Sequence, residues 1–81
     1  MQIVWDEIKR QSNLAKHGLD FADLHEEFFL GAMIAPMREG RYLATGDLGE
    51  AILSVAFRPL GAEAISIISM RQASRRERRN R

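Results

Sequence analysis

The sequence predicts one α+β domain, with two N-terminal helices packed on an antiparallel sheet of about four strands and a short C-terminal helix. Capping and helical-periodicity signals occupy the first third of the chain. Runs of β-branched and apolar residues separated by turn residues follow them. A further capping signal lies near the C-terminus. Because 81 residues suffice for one core, we expect a single domain over residues 1–81.

The first helix is predicted after the apolar stretch MQIVW, which suits a short strand or an extended segment leading into the core. Asp6 can cap the free amides at the start of a helix, and Gly18 stands where a helix ends in the left-handed conformation. Lys16 and His17 place positive charge in the last turn, where the helix dipole favours it. The apolar side of this helix is thin, so we expect it on the surface of the fold.

The second helix is predicted from Asp20, a good N-cap residue, to Gly31. Leu19 and Leu24 have the spacing of a hydrophobic staple across its start. The residues predicted to form its buried face, with His25 as a packed or hydrogen-bonded member, are Phe21, Leu24, His25, Phe28 and Phe29. The turn at Gly18 would make the two helices a hairpin.

The middle of the chain reads as four strands, AMIAPM, RYLAT, AILSVAF and AISIISM, joined by turns that contain glycine or proline. Pro36 confines the first of them to an edge or an end of the sheet. Ile67 and Ile68 interrupt the alternation of the last strand, which indicates a central strand covered on both faces. An antiparallel meander is therefore expected.

The charge of the chain is divided unevenly. Residues 1–70 hold six Lys or Arg against ten Asp or Glu, a net charge of −4, whereas residues 71–81 hold six Arg against one Glu, a net charge of +5. An acidic body with a basic end indicates a polyanion or an acidic protein as partner. There is no cysteine, no metal-ligand spacing of the two histidines, no long apolar run and no leader. We therefore expect a cytoplasmic protein without a metal or cofactor.

The basic end contains a specific helix-start signal. Ser74 and Glu77 have the S-x-x-E spacing of a capping box, so a helix is predicted to begin at Arg75. Three of its arginines are expected on one face, namely Arg75, Arg78 and Arg79, with Arg76 projecting elsewhere. Arg71 lies at the end of the last predicted strand, where its side chain can point into a cleft.

Two motifs resemble the BrnT toxins of bacterial type II toxin–antitoxin systems, which are small ribonucleases with a RelE-like fold. The first is WDEIKRQSNLAKHGLDF at residues 5–21, and the second is ISIISMRQASRRER at residues 65–78. EGRYLATG at residues 39–46 is a weaker match to the same family. The chain departs from the family where it has Ser66 in place of an arginine and Arg81 in place of a tyrosine. The resemblance covers nearly the whole chain and implies the RelE-like form of the fold given above.

The resemblance implies cleavage of RNA without a metal. Such a reaction needs a base for the ribose 2′-hydroxyl, cations for the phosphate and an acid for the leaving oxygen. Arg71 is the first candidate for the phosphate and Arg58, which ends a strand beside a turn, is the second. His17 is a candidate acid or base, and Glu77 a candidate base. The structural alternatives are an ion pair at the sheet edge for Arg71, a helix cap for His17 and the capping box for Glu77.

The remaining cations are candidate RNA-binding residues. Lys9 and Lys16 lie seven apart, close to one helix face. There they could contact phosphate, serve as a base if a neighbouring group depresses the pKa, or form an ordinary solvated surface. The arginines of the C-terminal helix could bind RNA or a protein partner, or only be solvated: Arg75, Arg76, Arg78 and Arg79. Met33, Met37 and Met70 are expected to fill the core and not to form a ligand site.

Two functions remain open from the sequence. The resemblance implies a ribonuclease toxin that cleaves messenger RNA and is neutralised by a BrnA-type ribbon-helix-helix antitoxin. It also implies a two-plus-two complex that binds operator DNA through the antitoxin. The alternative, which composition alone would favour, is a non-enzymatic module that binds nucleic acid or protein through its C-terminal arginines.

Overall fold

The protein, seen here as a computed structural model that describes residues 1–80, is built around a five-stranded mixed sheet. Its elements in chain order are β1 (Gln2–Trp5), α1 (Glu7–His17), a 3₁₀ turn (Phe21–Asp23), α2 (Glu26–Leu30), β2 (Met33–Pro36), β3 (Tyr42–Leu48), β4 (Ala51–Leu60), β5 (Ala64–Gln72) and α3 (Arg75–Arg79). The strand order is β1-β5-β4-β3-β2. β1 pairs with β5 in parallel and the other neighbours are antiparallel. Within the described residues, no helix is long and apolar enough to span a membrane.

The predicted sheet, a RelE-like antiparallel arrangement of about four strands, is wrong. MQIVW forms β1, which becomes a fifth strand and makes the sheet mixed, because residues 2–5 pair in parallel with residues 64–67. The amide of Gln2 adds a 2.7 Å hydrogen bond to the carbonyl oxygen of Glu63. A local sequence pattern does not specify a partner so distant in the chain, and this is why the strand pairing was missed.

The predicted pair of N-terminal helices is also wrong, because only α1 is long. Asp20 does act as an N-cap, but the helix it starts is a single 3₁₀ turn that ends at Leu24, whose φ of −79° and ψ of 136° are extended. A second short helix, α2, then begins at Glu26. This break turns His25 to the surface, where it is exposed, so the prediction of a packed His25 is wrong as well.

The first helix agrees with the sequence in its position and in both of its ends. The Asp6 side chain accepts a hydrogen bond of 2.8 Å from the amide of Ile8. Gly18 adopts the left-handed conformation, with a φ of 69°, and its amide donates to the carbonyl oxygen of Leu14. Only glycine adopts this conformation at little cost, so Gly18 ends α1 sharply and turns the chain back towards the core.

A β-bulge explains the adjacent isoleucines of β5. Ala56 of β4 lies opposite Ser69, and the next residue, Phe57, lies opposite Ile67, so Ile68 is an extra residue without a cross-strand partner. β5 does lie inside the sheet, between β1 and β4. Ile67 belongs to the core, whereas Ile68 remains half-buried. The interrupted alternation therefore comes from the bulge, not from a strand covered equally on both faces.

The two faces of the sheet have different roles. The core lies on one face, where Phe21, Leu24 and Phe28 pack against Leu53, Val55, Phe57, Ile65, Ile67 and Met70. Residues on the opposite face, called the polar face below, follow from the cross-strand register: Thr45, Ser54, Arg58, Ser66, Ser69 and Arg71. α3 covers one end of the polar face, because its Glu77 contacts Ser54. Every candidate site residue of the strands lies on this face.

Candidate functional site

Glu77 lies at the centre of a hydrogen-bonded cluster on the polar face. Arg71 donates to it through two nitrogens, Nη1 to Oε1 at 2.8 Å and Nη2 to Oε2 at 2.8 Å. The hydroxyl of Ser54 donates to Oε1 at 2.8 Å, and the amide of Ser74 donates to the same oxygen at 2.9 Å. Four donors from β4, β5 and the α3 cap thus hold one carboxylate in a single orientation.

The capping box places Glu77 over the sheet. Ser74 Oγ accepts from the amide of Glu77 at 3.1 Å, and the Glu77 carboxylate accepts from the amide of Ser74, so both halves of the predicted box form. The amide of Ala73 donates to the carbonyl oxygen of Ile52 at 2.9 Å and keeps the link between β5 and α3 on the sheet. The predicted helix start at Arg75 is confirmed.

Two buried hydroxyls extend this cluster and were not predicted. The hydroxyls of Thr45 and Ser54 are 3.0 Å apart, and these residues are only 6% and 1% exposed. Because Ser54 donates to Glu77, its hydroxyl can also accept from Thr45, and neither group is left without a partner. A polar chain therefore runs from β3 through β4 to α3. The single serine within the apolar run AILSVAF was the signal that could have revealed it.

Electrostatics fix the charge state of the pair. The hydrogen bonds from Arg71, Ser74 and Ser54 lower the pKa of Glu77 to about 2, with the Arg71 guanidinium as the largest cause, although desolvation acts in the opposite direction. The same ion pair raises the pKa of Arg71. Glu77 is therefore an ionised carboxylate near neutral pH and a weak proton acceptor, since efficient general bases have pKa values near the working pH.

Arg71 forms an ion pair, which was the structural alternative for this residue, yet it stays available to a ligand. Its side chain is 40% exposed. Within the described residues, its guanidinium makes three hydrogen bonds, two to Glu77 and one to the carbonyl oxygen of Gln72. An arginine side chain has about five N–H donors, so further donors remain for a bound anion.

Asn13 fixes α1 against β5. Its Nδ2 donates to the carbonyl oxygen of Met70 at 2.9 Å, and its Oδ1 accepts from the amide of Met70 at 3.0 Å. Nδ2 also reaches the carbonyl oxygen of Leu19 at 3.2 Å. Since β1 ends at Trp5, the Asn13 amide takes the place of a neighbouring strand for this part of β5. This role of Asn13 was not predicted. The signal that could have revealed it is an uncharged polar residue within the first motif, residues 5–21.

Two cavities open where α1 meets the polar face. The lysine cavity, of about 240 Å³, is lined by Lys9, Ser12, Asn13, Lys16, His17, Ile68 and Ser69. The arginine cavity, of about 250 Å³, is lined by Lys9, Arg41, Arg58, Leu60, Ser66 and Ile68. Three predicted residues, Lys16, His17 and Arg58, are thus gathered around Lys9, and Arg41 joins them without having been predicted. Ser66, where the family pattern has arginine, lies in the arginine cavity.

The predicted site residues form two groups instead of one. Arg71 and Glu77 lie at the end of the sheet covered by α3, whereas Arg58 and His17 line the cavities beside α1. Ser54, which contacts Glu77, and Arg58 are four residues apart on one strand, a distance of roughly 13 Å. Arg58 is therefore remote from the ion pair, whereas the lysine cavity reaches Ser69, which is two residues before Arg71 on the same face of β5, roughly 7 Å along the strand.

The arginines of α3 are exposed, and none of the four forms an ion pair within residues 1–80. Arg76 differs from the others because it lines a third, largely apolar cavity of about 210 Å³. The other residues of that cavity are Met33, Ala35, Leu43, Thr45, Glu77 and Asn80. Met33 and Met37 are exposed and only Met70 is in the core, so the expectation of core methionines holds for Met70 alone of these three. Arg81 lies outside the described residues.

Comparisons with known proteins point to one family. The family model described as "Ribonuclease toxin, BrnT, of type II toxin-antitoxin system" matches residues 5–77. The crystal structure of the Brucella abortus ribonuclease toxin BrnT is similar over 93% of this chain and 99% of that chain, with 58% sequence identity and a TM-score of 0.87. A search of curated proteins found no match.

Proposed function

Because this chain belongs to the BrnT family of ribonuclease toxins of type II toxin–antitoxin systems, we propose that it cleaves messenger RNA without a metal and thereby inhibits translation and growth. The family also implies an antitoxin as partner. The observation that carries the proposal is the grouping of cations where α1 meets the polar face. Lys9, Lys16 and Arg58 come from distant parts of the sequence and line two adjoining cavities.

Arg71 is proposed as the main ligand of the reacting phosphate. Its guanidinium is planar and always charged, so it can bind two phosphate oxygens and stabilise the charge that develops on them. Glu77 holds this guanidinium from one side by two hydrogen bonds of 2.8 Å. In this proposal Glu77 positions Arg71, since a carboxylate with a pKa of about 2 would be a poor base for a ribose hydroxyl.

Proton transfer is assigned to His17. An imidazole exchanges protons near neutral pH more readily than any other side chain, and His17 lines the lysine cavity together with Lys9 and Lys16. The two lysines would hold the RNA backbone there, and Arg58 would hold it in the arginine cavity. Within the described residues, no group of three or more His, Asp or Glu could hold a metal ion.

The antitoxin is proposed to be of the BrnA type, a ribbon-helix-helix protein that forms a two-plus-two complex with the toxin and carries it to operator DNA. The exposed arginines of α3, Arg75, Arg76, Arg78 and Arg79, would contact RNA or an acidic surface of that antitoxin. A cytoplasmic location accords with such a substrate and partner.

A cleavage assay tests the proposal. Purified toxin, freed of antitoxin, is incubated with labelled single-stranded RNA in EDTA and, separately, with Mg²⁺. The wild type should cleave in both. Arg71→Ala should lower the rate by about 100-fold or more, because a positioned transition-state donor is lost. Arg38→Ala, which removes an exposed arginine from the turn between β2 and β3, is the matched control and should change the rate by less than about threefold.

The possible results separate the parts of the proposal. RNA that is bound but left intact by the wild type would support the alternative, a non-enzymatic binding module. Cleavage that requires Mg²⁺ would contradict metal independence alone. Equal cleavage by wild type and Arg71→Ala would contradict only the role of Arg71.

A further inference from the structure

Ile68 occupies an unusual place between two cationic cavities. It is the extra residue of the β5 bulge and lines both the lysine cavity and the arginine cavity. Lys9 is the other residue that the two cavities share. An apolar side chain thus separates two cationic sites that have one lysine in common.

The fold does not require an isoleucine at this position. The core is on the opposite face, and Ile67, beside Ile68 in sequence, already contributes to it with 1% exposure. Ser66 and Ser69, the nearest polar-face residues of β5, are small and hydrophilic. Bulges redirect side chains and are common beside functional sites. Leu60, which is 47% exposed, adds a second apolar surface to the arginine cavity.

The size and chemistry of the two cavities suit a linear polymer. At about 240 and 250 Å³ each is smaller than usual small-molecule sites, which measure roughly 300–1,000 Å³. Two cationic cavities separated by an apolar side chain match a ligand with regularly spaced anions and apolar rings. Single-stranded RNA has this pattern. None of the six aromatic residues is exposed, so an aliphatic side chain is what this face offers to a base.

We propose that Ile68 is a wedge that separates two adjacent bases of single-stranded RNA, with one nucleotide in each cavity and the intervening phosphate on Lys9. Apolar side chains that enter a base step and unstack it are a known device in nucleic-acid recognition. The inference rests on the proposed function, because its ligand is the RNA substrate of that function. It adds a contact to the bases, whereas the cations contact only the backbone.

Binding to uncleavable RNA tests the wedge. Fluorescence anisotropy compares a 2′-O-methyl oligouridine with an abasic oligomer of the same length, using wild type, Ile68→Ala and Ile68→Thr. Threonine is β-branched and keeps the strand preference of isoleucine, so it serves if the alanine variant fails to fold. Leu30→Ala, at a residue that is 77% exposed on α2, is the control for the loss of an exposed apolar side chain.

The wedge predicts a loss that depends on the bases. Both Ile68 variants should bind oligouridine about 5- to 10-fold more weakly than wild type and bind the abasic oligomer within about twofold. Lys9→Ala should weaken both oligomers alike, and Leu30→Ala should weaken neither. An equal loss on both oligomers for the Ile68 variants, or no loss on oligouridine, would overturn the proposal.

The measurements distinguish a failure of the wedge proposal from a failure of the proposed ribonuclease activity. The 2′-O-methyl group removes the nucleophile, so the binding measurement does not depend on catalysis. If the Ile68 variants lose affinity for oligouridine only and the wild type does not cleave ordinary RNA, the wedge is supported and the ribonuclease function is contradicted. If the wild type cleaves ordinary RNA but binds oligouridine and the abasic oligomer equally well, the ribonuclease function is supported and the wedge is contradicted.

Discussion

Arg71 and Glu77 form a bidentate ion pair that joins the end of β5 to α3, with both N···O distances at 2.8 Å. The pair closes the short segment between the last strand and the last helix. Ser54 binds the same carboxylate from β4, so the orientation of the guanidinium depends on three elements of the fold. Loss of either partner would release the other, and this dependence can be measured.

A double-mutant cycle should show that Glu77 acts through Arg71. Glu77→Gln should lower RNA cleavage about 10-fold, because a less ordered guanidinium stabilises the phosphate less well. In an Arg71→Ala background the same change should have little further effect. Glu50→Gln, at an exposed carboxylate of the turn between β3 and β4, is the control. An equal effect of Glu77→Gln in both backgrounds would mean that Glu77 has a role of its own, such as that of a base.

The stability of the fold should depend on Glu77 in acid. Its pKa of about 2 in the folded protein lies below the ordinary value of 4.5, so this carboxylate stabilises the fold fully above about pH 4.5. The contribution is lost as the pH falls from about 4.5 towards 2. The free energy of unfolding of wild type should therefore approach that of Glu77→Gln over this range, by at most about 3 kcal/mol.

Urea unfolding at a series of pH values measures this difference. The hydrogen bonds of Arg10 also lower the pKa of Glu7 to about 2. Since Glu7 is present in both proteins, its effect cancels in the comparison. A wild-type advantage that stays constant from pH 6 to pH 2.5 would contradict the assigned role of Glu77.

Asn13→Ala should be strongly destabilising, by about 2–4 kcal/mol, because it leaves the amide and carbonyl of Met70 buried without partners. Asn13→Asp should recover only part of this loss, since it retains an acceptor for the Met70 amide but cannot donate to the carbonyl. Gln11→Ala, at an exposed position of the same helix, should change the free energy of unfolding by less than about 0.5 kcal/mol. Chemical denaturation of the three variants provides the test, and similar values for Asn13→Ala and Gln11→Ala would contradict the strand-like role of Asn13.

Gly46 should not tolerate a side chain. A Cβ at this position would lie 3.2 Å from the Cβ of Ala32 and 3.4 Å from the Cε1 of Phe28, so Gly46→Ala should cost about 1–3 kcal/mol. Gly31→Ala is the matched control, because the nearest atom to its Cβ, the carbonyl oxygen of Glu27, is at an ordinary 3.7 Å. Thermal unfolding should show a lower melting temperature for Gly46→Ala than for Gly31→Ala. Equal melting temperatures would show that α2 can move away from the sheet.

The salt dependence of RNA binding should report on the two lysines. If Lys9 and Lys16 each contact a phosphate, replacing either one by alanine should reduce the slope of log affinity against log salt by about 0.7. The loss should be similar for RNAs of different sequence. Arg38→Ala, at an exposed residue of the turn between β2 and β3, should leave the slope unchanged. Filter binding over a range of NaCl concentrations measures the slopes, and an unchanged slope for Lys16→Ala would remove Lys16 from the interface.

The sequence predicted best those features that depend on neighbouring residues. Asp6 and Gly18 set the ends of α1, and Ser74 with Glu77 began α3, because capping requires only amides within a few residues. The four predicted strands are present as well, because the alternation of apolar and polar residues along a strand is also a local pattern. Pro36 ends β2 at the edge of the sheet, as its missing amide requires.

Features that depend on distant residues were missed. The parallel pairing of β1 and the bulge at Ile68 depend on the register with a partner strand, which a local pattern does not specify. The break at Leu24 interrupts an apolar periodicity that is continuous in the sequence. The candidate site shows the same division. Cations and a carboxylate could be found by residue type, but Asn13, Thr45 and Ser54 have roles only because the fold brings their partners to them.

The parallel pairing of β1 with β5 also has a consequence for how the protein folds during synthesis. Residues 2–5 must wait for residues 64–67 before their hydrogen bonds form, and loops that close over such long stretches make folding slow. β5 also carries Arg71 and the bulge beside the two cavities. A growing chain therefore cannot complete the face that carries the candidate site until residues 64–72 have left the ribosome, so the candidate site forms late in synthesis.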